Sequence, residues 1–279
     1  MSGKTLTPAI DRILVAIDAS PNSLAALDAA VDLARRNNAS LVGLFVEDLN
    51  LIRLAELPFS NEVLNSTAAL RELGVDDIER QLRIQARKAR KALADRAERF
   101  GLDWDFRVAR GAVPLEVLAE AEEADWIVLG KSGWSKAHKV GSTTRFVLNQ
   151  ADRFIMVLER GLHLQRPVVA VFDGSEPAIR SLTAAAMLAR SQAVGISVFL
   201  LGQDTEELKH LQSEAAETLE ALEVRATYRW FEGAHNHDLV NSVQQIGCLL
   251  VLPGELPVLR GDPLIDFIDR LKCPVLVVR

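Results

Sequence analysis

Three observations predict an α/β fold built from two tandem, doubly wound parallel-sheet domains. The chain has 279 residues, and at roughly 150 residues per domain that is enough for two cores. Short apolar runs alternate along it with amphipathic helical stretches, the pattern of right-handed βαβ crossovers. The chain also repeats itself: ILVAIDAS at 13–20 returns as VVAVFDGS at 168–175, and the same 155-residue shift carries Leu33-Ala34-Arg35 onto Leu188-Ala189-Arg190. The expected division is 1–160 and 161–279.

The elements follow in order. The run 13–17 lacks period-two alternation, as a strand buried on both faces of a parallel sheet does. Ser20-Pro21 supplies an N-cap and a favoured first-turn proline, and Leu24, Leu27, Val31 and Ala34 continue at helical spacing. A strand is expected at 40–46. The mixed segment 48–76 contains DLNLIRLAELPF, apolar enough for a short helix outside the sheet; it is too long for a passive turn, and is read as a lid over a site or a pad against the other half. A helix over 77–100 carries one apolar stripe, Ile78, Leu82, Ala86, Ala89, Leu93 and Ala97. A strand at 104–109, a helix at 114–123 and buried strands at 126–129 and 155–158 complete the first copy. The second copy repeats the scheme with strands near 167–172, 196–201, 225–230, 248–252 and 274–278. Its counterpart of 48–76 is nearly absent.

Composition narrows the function. The chain is 49% hydrophobic and 25% charged, which excludes a disordered polymer. Only 5% of residues are aromatic, which suits helices on a buried sheet better than an all-β sandwich. The net charge is −6, its larger share after Arg160, so neither nucleic acid nor an anionic membrane is an expected partner. No secretory signal or membrane-spanning run is read, and Cys248 and Cys273 lie outside any CxxC spacing. Free thiols and a cytoplasmic location are the expectation.

The most informative stretch is 129–144, LGKSGWSKAHKVGSTT. A buried strand ends at Leu129, Gly130 and Gly133 follow, and Gly141-Ser142 opens a helix. In a parallel sheet, ligands bind beyond the carboxyl ends of the strands, where this loop must sit. Glycines let backbone N–H groups come close to phosphate oxygens, and a helix start adds unpaired donors and partial positive charge. The spacing fits neither GxGxxG nor a Walker loop.

The loop resembles the universal stress protein family, whose ATP-binding members carry G-x2-G-x9-G-[S/T] after their fourth strand. Supporting marks are the Asp-x-Ser at 18–20, GAVP at 111–114 and ADWIVLGKSG at 124–133. Here seven residues rather than nine separate Gly133 from Gly141, which shortens the phosphate cradle. The resemblance spans 10–158 and 165–279. It implies an ATP site, with Mg, in which Ala16, Ile17 and Asp18 face the adenosine, Val46 the adenine edge, and Leu129, Gly130, Gly133, Gly141, Ser142 and Thr143 the ribose and phosphates. It also implies that the two halves pair about a pseudo-twofold, mimicking the dimer of single-domain members. Further association into a homodimer stays open.

The second half departs from that pattern. After its fourth strand the chain reads Leu252-Pro253-Gly254-Glu255-Leu256-Pro257, and no Gly-Ser pair precedes the final helix at 263–271. Prolines remove N–H donors, and Glu255, Asp262 and Asp266 repel phosphate. One nucleotide per chain, and a degenerate second site, are expected.

Other candidates have structural as well as functional readings. Asp18 and Asp173 end strands, where an acid touches a ligand, directly or through a metal, or organises its own loop. Ser20 reads as a cap, and Ser142 as a cap that also faces phosphate. His138 and Lys139 are either phosphate contacts or idle loop residues. His235 and His237 form an HxH without a third metal ligand of suitable spacing. Arg80, Arg83, Arg87 and Arg90 make a basic stripe read as a solvated face. Trp104, Trp126 and Trp230 are read as core or interface residues. No Ser-His-Asp set or paired carboxylates stand out, so an enzyme such as a nucleotidyl transferase has only fold analogy behind it, although slow ATP hydrolysis stays open. The two competing readings are an ATP-binding stress-response or regulatory module and a tandem scaffold with both sites empty.

Overall fold

The computed structural model describes residues 10–56, 61–63, 70–72, 74–134, 139–233, 236–256 and 264–279. Ser20 ends the turn after β1 (Arg12–Ala16), and its hydroxyl accepts the Ser23 N–H at 3.2 Å, so α1 (Pro21–Asn37) starts where a cap and a first-turn proline coincide. Ala26, Leu27, Ala30, Val31, Leu33 and Ala34 form its buried face. The helix ends on Asn38 in the left-handed region, φ 54°. Then come β2 (Ser40–Asp48), α2 (Leu49–Glu56), a hairpin of β3 (Asn61–Val63) and β4 (Leu70–Glu72), and α3 (Val75–Ala97). The half closes with β5 (Trp104–Gly111), α4 (Val113–Ala121), β6 (Trp126–Gly130), α5 (Ser142–Gln150) and β7 (Phe154–Leu158).

The second half repeats this as β8 (Val168–Phe172), α6 (Glu176–Gln192), β9 (Ile196–Gly202), α7 (Thr205–Ala221), β10 (Ala226–Glu232), α8 (Asn236–Ile246), β11 (Leu249–Pro253), α9 (Leu264–Arg270) and β12 (Val275–Val278). The 155-residue shift holds at the level of bonds. Ser175 caps α6 by accepting the Ala178 N–H, and α6 ends on Ala193 at φ 53°, the counterpart of Asn38.

All ten long strands form one sheet in the order β10-β9-β8-β11-β12-β7-β6-β1-β2-β5. Within each half every pairing is parallel, with the first strand in the centre and the fourth beside it. The halves join where β7 meets β12 antiparallel, Met156 opposite Leu276. Side chains alternate across β1: Ile13 and Val15 enter one apolar layer and Leu14 the other, and each layer continues into the second half. The domains are therefore two windings of a single sheet.

Several elements differ from expectation. Strand β2 runs to Asp48, because pairing with β5 continues to Gly111. Helix α3 covers Val75–Ala97; Glu98–Phe100 tighten into a 3-10 turn that Gly101 ends at φ 62°. The stripe Leu82, Ala86, Ala89, Leu93 and Ala97 is buried, whereas Arg80, Arg83, Arg87 and Arg90 face solvent, Arg80 paired with Asp77 at 2.8 Å. Helix α2 packs on α3 and β5 of its own half. Trp126 is buried and stacks on Phe154 with ring centroids 5.3 Å apart. Trp230, in contrast, lies 42% exposed on the edge strand β10, its indole donating to Gln212 at 2.7 Å.

Cys248 and Cys273 are free and buried, just before neighbouring strands. A hydrogen bond between the thiols, together with burial, pushes Cys273 well up, while the same bond draws Cys248 down. No described helix is long and apolar enough to cross a membrane.

Candidate functional site

Strand order reverses beside β1: the chain leaves β1 toward β2 and later returns to lay β6 on its other side. The loops after β1 and β6 therefore diverge, and a crevice opens between them at the carboxyl ends. It holds an open cleft of about 260 Å³, near the lower end of the roughly 300–1,000 Å³ usual for small-molecule sites. The floor and walls are apolar, from Ala16, Ile17, Leu44, Val46, Val117 and Leu129; the rim carries Asp18, Asp48, Ser132 and Thr143.

Of the residues singled out by sequence, Ala16, Ile17, Asp18, Val46, Leu129, Gly130, Gly133 and Thr143 line this cleft. Gly141 and Ser142 do not. Gly141 is the N-cap of α5, and its N–H is spent on the Lys131 carbonyl at 2.8 Å. The helix ladder starts with Arg145 N–H donating to the Gly141 carbonyl, so the amides of Ser142, Thr143 and Thr144 precede it. No side chain caps that end. Thr144 instead donates its hydroxyl to the Gly130 carbonyl at 2.8 Å, tying the helix start to the strand end.

The glycines have distinct reasons to be glycine. A Cβ on Gly130 would stand 2.8 Å from the Asn22 carbonyl carbon, so the close passage of the α1 backbone by itself requires a glycine there. A Cβ on Gly133 would meet Asp18 Oδ2 at 2.9 Å. Asp18 is held from the other side, Oδ1 accepting the Ser20 N–H at 2.9 Å, so its second oxygen is the one turned toward the glycine loop. The turn that aims it puts Ala19 at φ 59°, where the second copy has Gly174 at φ 77°. Asp173 is held likewise, accepting both the N–H and the hydroxyl of Ser175.

Three residues important to the loop carried no sequence signal. Asn22 donates to the carbonyl and hydroxyl of Ser132 at 3.0 and 2.8 Å. Trp134, 63% exposed, leans over the cleft and donates its indole N–H to the Asp18 carbonyl at 3.3 Å. Lys131 turns away altogether, donating to the carbonyls of Asp269 and Leu271 at 3.2 and 2.9 Å and lying 3.7 Å from Glu159. Helix α2 contributes Leu51 to the cleft, as the lid reading of 48–76 expects for that part of the segment. Residues 57–60, 64–69 and 73 of that segment, and His138 and His235, lie outside the described residues. Lys139 is exposed, and no cluster of metal-ligating side chains occurs among the described residues.

The same positions in the second half carry larger side chains. Ala16, Ile17, Leu44 and Val46 become Val171, Phe172, Phe199 and Leu201, all buried, and Phe199 packs on Phe231 with ring centroids 4.9 Å apart. After β11, Gly254 occupies the position of Lys131: its N–H donates to Val278 as Lys131 donates to Leu158. Residues 257–263 of that loop, including Pro257 and Asp262, are outside the described ones.

Comparison with known proteins agrees with this architecture. A universal stress protein from Archaeoglobus fulgidus DSM 4304 superposes with a TM-score of 0.75 at 18% identity, covering 96% of each chain. A functionally unknown protein from Pseudomonas aeruginosa PAO1 gives 0.58 at 14% identity, over 99% of this chain and 94% of that one. These likenesses are of fold. No curated protein sequence matches. The model of the universal stress protein family matches residues 9–158, more than half the chain and a span that contains every residue lining the cleft, so this chain belongs to the universal stress protein family.

Proposed function

We propose that residues 1–160 bind ATP, with Mg, in the cleft between the loops after β1 and β6, and that 161–279 are a degenerate copy without a nucleotide. The supporting observation is the cleft itself. It sits at the switch point of the parallel sheet and combines an apolar interior for a purine with a glycine loop and the uncapped start of α5 for phosphates. Ala16 and Ile17 would face the adenosine and Val46 the adenine edge, with Asp18 in reach of ribose or a metal. Ser142 and Thr143 would offer amides to phosphate at the start of α5. The activity that fits is that of a stress-response or regulatory module in the cytoplasm, in which nucleotide binding shifts conformation or partner affinity.

The test transplants the second half's side chains into the first. Wild-type protein should bind ATP–Mg by calorimetry, and Ala16→Val combined with Leu44→Phe should weaken binding by at least about 10-fold, with an unchanged circular dichroism spectrum. Equal affinity in the two proteins would overturn the site.

A second reading is a tandem scaffold that binds no nucleotide. It is favoured by charge: among the described lining residues none is Lys or Arg, and Asp18 and Asp48 are acidic. Under that reading, purified protein releases no nucleotide on denaturation and its melting temperature ignores millimolar ATP–Mg.

A further inference from the structure

The glycine loop of the first half is not closed by the first half alone. Asp269, near the end of α9, sends its carboxylate across the seam: Oδ1 accepts the N–H of Val140, the residue before the α5 cap, and Oδ2 lies 3.9 Å from the Arg145 guanidinium. Its side chain is only 15% exposed, so these contacts are little screened by water. The carbonyls of Asp269 and Leu271 take the buried ammonium of Lys131, and the Lys131 carbonyl in turn holds the Gly141 N–H at 2.8 Å. Both ends of the loop, Lys131 and Val140, thus rest on the same short stretch of the second half. The far end of α5 is also held from there, since Arg279 donates to the Leu148 carbonyl.

We infer that Asp269 is a positioning residue for the first half's ligand loop, and that the second half serves the site by fixing the start of α5 rather than by binding a ligand of its own. This rests on the nucleotide reading for its ligand, but the positioning stands on the bonds just described. A charge-assisted hydrogen bond from a carboxylate to a loop amide is stronger than a neutral one. Losing it frees Val140 and slackens the segment whose amides would face phosphate. An ordering cost that the second half now covers would then fall on the ligand.

The experiment uses the full chain and three variants, Asp269→Asn, Arg279→Met and, as a control on the same helix, Asp266→Asn. Hydrogen exchange of the ligand-free proteins is read over 130–150, and ATP–Mg affinity by calorimetry. Asp269→Asn should speed exchange selectively in 130–134 and 139–148 and weaken ATP–Mg by about 10-fold; saturating ATP–Mg should restore the protection. Arg279→Met should speed exchange at the end of α5, and Asp266→Asn should change neither readout. Unchanged loop exchange in Asp269→Asn, or faster exchange spread over both halves, would overturn the inference. If wild-type protein binds no ATP–Mg, the nucleotide reading fails while the exchange data still decide whether Asp269 holds the loop.

Discussion

Asn22 is hydrogen-bonded through its side-chain nitrogen to both the carbonyl and the hydroxyl of Ser132, 110 residues away, and the oxygen of the same amide accepts the Arg160 N–H at 2.9 Å. One side chain in the first turn of α1 thereby fixes the glycine loop and the start of the connector between the halves. Replacing it by alanine leaves the partly buried Ser132 groups and the exposed Arg160 N–H to find water. Asn22→Ala should cost about 1–3 kcal/mol in denaturant unfolding, and it should speed exchange at both 130–134 and 159–162. A cost confined to one of the two segments would show that they are held independently.

Two glycines of one loop should respond oppositely to substitution. Gly130→Ala drives a methyl into the α1 backbone, and a cost of about 2 kcal/mol or more in chemical denaturation is expected. Gly141 has φ −66° and its nearest Cβ neighbour stands at 3.4 Å, so Gly141→Ser should be neutral or stabilise by a few tenths of a kcal/mol through an added cap. Equal losses in both would contradict the packing account of Gly130.

Ala19 and Ala193 occupy left-handed backbone at φ 59° and 53°, where a Cβ is strained. Ala19→Gly and Ala193→Gly should each stabilise the fold by about 0.5–1 kcal/mol, read as a higher unfolding midpoint. The second copy already has glycine at the counterpart of Ala19, and the first has asparagine at the counterpart of Ala193. A lower midpoint in either variant would show that the methyl packs better than the backbone geometry suggests.

Tyr228 gives the pH dependence a sign. Burial first, then the nearby Glu220, raise its phenol above the ordinary value of 10. Below that value the phenol is protonated in both folded and unfolded chains, and the associated stability is fully present. As pH rises further the unfolded chain ionises first, so stability falls until the folded phenol also titrates. Tyr228→Phe should flatten this alkaline loss, modestly, because the ring is only partly buried. As the single tyrosine, its phenolate absorbance reads the folded value directly; a midpoint below 10 would contradict the direction.

Local signals made most of the frame readable. The strand-turn-cap signature at 13–21 recurs 155 residues later because both copies solve the same local problem, an unpaired strand end followed by a helix needing a cap. Long-range choices were not readable. Nothing in FIMVL or VLVV says that these two strands pair with each other, since any buried apolar strand offers the same edge. Lys131 gave no signal of its role, because the carbonyls that claim it lie in the other half, about 140 residues away. Asn22 was hidden because a polar residue in a first helical turn is ordinary.

The antiparallel join of β7 to β12 has a consequence for how the protein behaves when scarce. Two separate chains meeting along such an edge come apart on dilution, and whatever their contact supports fades with them. Here the meeting is built into one polypeptide, so the join persists however few copies a cell holds.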